Sequence, residues 1–122
     1  MFPKPIDGSV FYEDDILYAC LAFHPIVDGH TIVVIKKEFS DLNNLPEDIY
    51  LHLMKCIFKI RKTMLDIYKT DKVYVCYLDE TKHVHFHLFP RTGKLNGFEM
   101  MHGQHGTLTD FSKIILLSNS LS

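Results

Sequence analysis

His83-Val84-His85-Phe86-His87-Leu88 sets three histidines against three apolar residues in strict alternation, and Phe89-Pro90-Arg91 follows. In an extended chain, side chains at i, i+2 and i+4 share one face. His83, His85 and His87 are therefore expected on one face, with Val84, Phe86 and Leu88 on the other. The apolar set seeks a core, so the imidazoles line an exposed or half-buried groove. Crowded imidazoles resist being charged together, and some stay neutral near pH 7. A neutral imidazole is both a nucleophile and a hydrogen-bond donor. Three readings follow. The first is a polar strand face that is merely histidine-rich. The second is a metal site, since His at i and i+2 on a strand suits zinc or copper. The third is catalysis by imidazole, with one His as nucleophile and its neighbours placing protons and phosphate oxygens. Spacing alone does not separate the last two.

The remaining reactive residues carry weaker signals. His30 opens a β-branched run beside Gly29, and taken alone it reads as structural. His52 lies among charged helix positions and reads as part of a solvated face. His102 and His105 sit in a glycine-rich stretch and read as solvated too. Asp79 and Glu80 fall just before the histidine strand, where a carboxylate can orient an imidazole. Cys20, Cys56 and Cys76 are odd in number, form no Cys-x-x-Cys pair and lie in apolar stretches. They read as buried free thiols of a reducing cytoplasm.

The elements that must position these groups are legible from periodicity. Val10 to Tyr12 and Ile16 to Phe23 read as strands, joined by a tight turn at Glu13-Asp14-Asp15. Pro25 and Asp28-Gly29 interrupt the pattern, and His30 to Lys37 is the strongest strand by propensity. Pro46 marks a first helical turn, with Glu47 and Asp48 suited to the helix dipole. The helix is expected to run to about Tyr68. Tyr50, Leu53, Met54, Ile57, Met64, Leu65 and Tyr68 form its apolar stripe. Val73 to Leu78 is a further strand, and the polar Asp79-Glu80-Thr81-Lys82 connects it to the histidine strand as a hairpin. After Arg91 the pattern fades into a loop-rich tail, with a short helix or strand within 109–117. The order is strand, strand, strand, long helix, strand, strand. It predicts an α+β fold, an antiparallel sheet of about five strands with one long helix packed on one face. The chain reads as a single domain over 1–122, with a core at about 10–91 and a tail at 92–122.

Composition narrows the function classes. The 122 residues suffice for one domain with a real core. A net charge of −2 offers no extended nucleic-acid surface. No apolar run reaches the length of a membrane span. The first ten residues carry Pro3, Pro5, Asp7 and Gly8 and show no apolar signal core.

His83-Val84-His85-Phe86-His87-Leu88-Phe89 resembles the signature of the histidine triad family. Tyr12-Glu13-Asp14-Asp15, the stretch from Pro25 through Gly29-His30-Thr31, Ile32 to Lys37 and Phe89-Pro90-Arg91 extend the likeness over roughly residues 10–91. The resemblance implies a hydrolase or transferase that cleaves a nucleotide-type phosphoramidate or phosphoanhydride at the α-phosphorus. It assigns His85 as the nucleophile that forms a nucleotidyl-imidazole, and His87 as the contact to phosphate and leaving group. His83 would orient His85, and His30 would support the cluster from the neighbouring strand. The family's ribose-binding acid or amide falls on Ala22, and Phe23 would line a base pocket. The turn before the triad is short and acidic here, at Asp79 and Glu80, with Lys82 or Arg91 to offset it. No cofactor is implied. Some relatives hold a structural zinc with a cysteine pair near the N-terminus and a histidine after the position of Lys37. Here Glu38 follows Lys37 and the pair is missing, so no zinc is expected. The resemblance also implies a homodimer. Two alternatives stand beside the enzyme: a non-catalytic nucleotide- or phosphate-binding module, and a metal-binding protein built on the three histidines.

Overall fold

The computed structural model describes residues 2–78, 80–93, 96–103 and 105–121. Strands β1 (Val10–Glu13) and β2 (Leu17–Leu21) form the expected hairpin. The acidic triplet makes the turn through one member. Asp14 Oδ1 accepts the Ile16 and Leu17 amides at 2.8 and 2.9 Å, a local side-chain cap of the kind Asp favours in turns. Strand β3 (Thr31–Ile35) pairs antiparallel with β2. Helix α1 (Glu47–Ile67) follows, with Pro46 at its N-cap and Glu47 and Asp48 in its first turn. Strands β4 (Val73–Tyr77) and β5 (His85–Pro90) complete a five-stranded sheet of order β1-β2-β3-β5-β4, every neighbouring pair antiparallel. The fold is α+β, as expected.

The strand period sorts the sheet into two faces. Leu17, Ala19, Leu21, Val33, Ile35, Phe86 and Leu88 point toward α1 and join its Leu53, Ile57, Ile60 and Met64 in the core. Full burial of each large aliphatic side chain there is worth about 1.5–3 kcal/mol. Tyr50 does not join them: it is exposed at the end of the expected stripe, and Cys56 and Ile60 are buried instead. The helix axis thus meets the sheet slightly rotated from the predicted stripe. The opposite face carries the cross-strand pairs Val34–His85 and Ile32–His87, with Cys76 beside His87 on the far strand.

The tail holds more structure than its composition announces. Helix α2 (Gly97–Met101) starts in a capping box between Asn96 and Glu99. Helix α3 (Ile114–Leu121) buries Leu117 in the main core, packing on α1 and β1. Among the described residues, no helix is long and apolar enough to cross a membrane.

Candidate active site

Strand β5 has partners on both sides, so its histidines stand inside the sheet and not at its edge. The strand begins at His85, two residues later than the alternation suggests. His83 lies in the preceding bend, and three hydrogen bonds tie that bend to neighbouring chain. The Val84 amide donates to the Phe39 carbonyl at 3.0 Å, the Ile35 amide donates to the Val84 carbonyl at 3.2 Å, and His83 Nε2 meets the Ile35 carbonyl at 2.6 Å. The alternation predicts one groove for all three imidazoles. In the structure His83 and His85 are buried and only His87 is half-buried. A ladder-like stitch and the Ile35 acceptor draw His83 inward.

Hydrogen-bond logic fixes where the protons sit. A carbonyl only accepts, so His83 carries its proton on Nε2. His85 Nδ1 lies 2.8 Å from the His83 carbonyl and therefore holds its proton there, leaving Nε2 as a free lone pair. Thr81 Oγ1 donates to the same carbonyl at 3.2 Å and lies 3.3 Å from His85 Nδ1. A second chain runs through His30. The Ile26 amide donates to His30 Nδ1 at 3.0 Å, so that nitrogen is unprotonated. His30 Nε2–H then donates to His87 Nδ1 at 2.9 Å. His87 is left with its proton on Nε2, pointing out of the pair.

Burial pushes His30 down from the ordinary 6.5 to about 3, helped by its proximity to His87 and then His105. Burial likewise lowers His87 to about 4, with His85 and then His105 adding repulsion. Both rings are neutral at pH 7. The pair is thus a neutral hydrogen-bond donor beside His85, a buried imidazole whose Nε2 keeps its lone pair.

Two cavities flank the His30 and His87 rings, and His85 lines neither. One, of about 340 Å³, is lined by Ala22, Phe23, His30, Ile32 and His87, with Phe2 and Pro3 along its side. The other, of about 240 Å³, has His30, Cys76, His87, Phe89, Met101 and His105 in its wall. Together they match the size of ordinary small-molecule sites. The Phe2 ring lies 4.7 Å from the His85 ring and 5.3 Å from the His83 ring, centroid to centroid.

The residues read from the sequence are only partly gathered here. His30, His83, His85 and His87 form one cluster. Ala22 is buried against it, its amide donating to the His30 carbonyl at 2.8 Å. Phe23 is half exposed and leans on His24 at 4.4 Å. Lys82 is exposed in the turn, with φ of 57°, and lines neither cavity. Arg91 does not reach the site either. Its Nε donates to the Tyr74 hydroxyl at 2.9 Å, and its Nη1 lies 3.6 Å from Asp71. Both sit at the far end of β5, which engages the guanidinium elsewhere. Asp79 lies outside the described residues, and Glu80 is exposed.

Sequence reasoning missed Thr81, Phe2 and His105. Thr81 stands four residues before His85, within reach only because the chain turns between them. Phe2 and His105 arrive from the two ends of the chain. His105 is exposed, as its glycine-rich surroundings suggest, and its Nδ1 also lies 3.1 Å from the His24 carbonyl. Gly106 and Leu108 hydrogen-bond to the Pro25 and Phe23 carbonyls, laying the tail along the site. No local pattern announces that docking. The metal reading of the three strand histidines finds no support in their geometry. Among the described residues, the group of His, Cys, Asp or Glu that converges at metal-binding distance is Asp14, His52 and Cys56.

Comparison with known proteins agrees with this architecture. The family model of the HIT domain matches residues 4–94. The chain is 33% identical over 100 residues to an uncharacterized HIT-like protein of Methanocaldococcus jannaschii, covering 75% of this chain and 78% of that one. It is 29% identical to an adenosine 5'-monophosphoramidase of Saccharomyces cerevisiae, covering 89% of this chain and 69% of that one. A Hit-like protein from Bartonella henselae shares the fold, with a TM-score of 0.73 and 24% identity over 95% of this chain and 86% of that one. The NitFhit protein of C. elegans aligns with a TM-score of 0.72 and 18% identity, and this chain spans 93% of itself but 27% of that longer chain.

Proposed function

The chain belongs to the HIT domain family, and from that premise we propose that it hydrolyses a nucleotide-type substrate at the α-phosphorus, with His85 as nucleophile. One observation carries the reading: His85 Nδ1 is committed to the His83 carbonyl at 2.8 Å, which leaves Nε2 unprotonated. In the first step Nε2 forms a bond to phosphorus while the bond to the leaving group breaks, and the leaving group takes the electron pair. The ring becomes cationic and keeps its Nδ1 proton on the carbonyl. In the second step water attacks phosphorus, the P–N bond breaks, and His85 returns neutral. The proton from water passes to solvent. Splitting one displacement into two easier ones is the use of such a nucleophile.

His87 supplies a hydrogen bond from Nε2 to the phosphoryl oxygen or the leaving atom, and His30 holds it in that tautomer. A ring lowered to about 4 gives hydrogen bonds, not protons, at pH 7. The site therefore favours a leaving group that brings its own proton, as a protonated phosphoramidate nitrogen does, over one that must be protonated in place. The monophosphoramidase name of the yeast relative points the same way. Ala22 and Phe23 would meet the nucleoside, with an apolar wall where a ribose-binding polar group is absent. The three unpaired thiols suit a reducing cytoplasm, and the family resemblance favours a homodimer, which sedimentation analysis tests.

The test is mass spectrometry of the protein after brief mixing with an adenosine or guanosine phosphoramidate, with chelator present and a His85→Ala control. A mass gain of one nucleotidyl group, absent in the control, is the expected result. Nucleotide binding with no adduct and no turnover across a panel of phosphoramidates and dinucleoside polyphosphates would overturn it and leave a nucleotide-binding module, which the apolar Ala22 wall also suits.

A further inference from the structure

Asp14, His52 and Cys56 meet on the α1 side of the sheet, opposite the face that carries His85 and His87. His52 and Cys56 are one turn apart on α1, so their side chains project from the same stripe. Asp14 comes from the turn between β1 and β2. His52 Nε2 lies 2.7 Å from Asp14 Oδ2 and 3.5 Å from Cys56 Sγ. All three donor atoms lie within 4.8 Å of one another. We propose that these residues bind a divalent ion of the zinc class and so staple the first hairpin to the long helix.

The donor set and its geometry carry the proposal. One nitrogen, one carboxylate oxygen and one thiolate suit a borderline-soft ion in a tetrahedral site. Bonds of about 2.0 Å to N or O and 2.3 Å to S require an N–S edge of about 3.5 Å and an N–O edge of about 3.3 Å. The first edge already exists. The second opens by roughly half an ångström when the ion replaces the shared proton. Asp14 is built for monodentate ligation. Its Oδ1 holds the Ile16 and Leu17 amides, so the turn is complete without Oδ2. Oδ2 also accepts the Tyr12 hydroxyl at 2.9 Å, an outer partner that orients it toward the ion. Binding moves the His52 proton from Nε2 to Nδ1 and releases the Cys56 thiol proton to solvent. Burial raises the Cys56 thiol above its ordinary range, and Lys59 and then Lys55 offset only part of that, so the ion itself must displace the proton. His52 and Asp14 keep 33% and 25% of their side-chain surface, which leaves a path for the ion and a fourth position for water. The expectation of a zinc-free chain rested on a missing cysteine pair and on Glu38 where a histidine would follow Lys37, and this site uses other residues.

Titrating the chelator-stripped full chain with Co²⁺ alone tests this. One equivalent should bind, with tetrahedral ligand-field absorption and a thiolate-to-cobalt charge-transfer band, both erased by Zn²⁺. Cys56→Ser should abolish the charge-transfer band. His52→Gln, a half-exposed position that tolerates change, should weaken binding at least tenfold, and Tyr12→Phe about tenfold. His87→Asn should leave both bands intact. No charge-transfer band in the wild-type chain, a band that survives in Cys56→Ser, or a band lost in His87→Asn would overturn the assignment. Circular dichroism checks each variant. If Cys56→Ser fails to fold, undiminished binding by His52→Gln serves as the refuting result.

Discussion

Lowering the pH from 7 to 5 should destabilise the fold by about 2 kcal/mol through His30 alone. The ring is 3% exposed, and burial beside His87 holds it at about 3, against an ordinary value of 6.5. The folded state thus binds the proton more weakly than the unfolded state. The stabilisation is fully present above pH 6.5 and is lost as the pH falls from there toward 3. At pH 5 the unfolded imidazole has taken its proton and the folded one has not. Each pH unit below 6.5 then costs about 1.4 kcal/mol, which gives the stated 2 kcal/mol. His87 is shifted the same way and adds to the effect. Asp14 does not confuse the window. Burial alone would raise its carboxyl, but the Leu17 and Ile16 amides and then His52 and Tyr12 outweigh it and hold the group at about 2. Its stabilisation is lost only below its ordinary 3.8. Urea unfolding at pH 7 and pH 5 reads the difference. The wild-type midpoint should fall by about 1 M, given typical denaturant slopes for a small domain. His30→Gln removes the titrating ring, so its stability should vary with pH by about 2 kcal/mol less than the wild type. Equal pH slopes in the two proteins would show that His30 charges inside the fold, and the neutral His30–His87 pair would have to be abandoned.

Gly29→Ala should destabilise the protein by about 1–2 kcal/mol from backbone strain alone, since φ there is +93°. The new methyl would also stand 2.7 Å from the Tyr68 ring, and thermal unfolding should show the combined loss. Thr81→Val removes the hydroxyl that shares the His83 carbonyl with His85. Turnover of a phosphoramidate should drop about fivefold in kcat with KM held, the equivalent of one ordinary hydrogen bond. A fall in KM affinity with kcat unchanged would place Thr81 at the substrate instead of behind the nucleophile. Asn96→Ala breaks the capping box of α2 and should cost about 1 kcal/mol locally, read as faster amide exchange at Glu99 and Met100.

The sheet, its hairpins and the long helix were legible because each rests on a local period. His85 and His87 point to one face for the same reason that Phe86 and Leu88 point to the other. His83 broke the pattern because its best partner, the Ile35 carbonyl, lies on another strand, where no period in its own segment reaches. Arg91 and Lys82 were chosen for charge near the triad in sequence, but a strand carries Arg91 away from His85 while the turn faces Lys82 to solvent. Phe2, His105 and the Asp14–His52–Cys56 group escaped notice because each depends on chain closure between distant segments. His52 in particular sat among lysines and acids that mark a wet helix face, and only the hairpin turn laid against that face gives it partners. The capping box at Asn96 was the one missed element with a readable local signature, an Asn three residues before a Glu.

The bend at His83 and Val84 is fastened to β3 and to the Phe39 carbonyl, and among the described residues Thr81 ties it to the turn before it. The geometry of His85 is therefore insulated from the length of the segment between β4 and β5. Residues can be inserted around position 80 without shifting the nucleophile, provided Thr81 keeps its place. That makes the turn a natural graft point, where a longer loop would change which molecules reach the lone pair of His85 and leave its aim untouched.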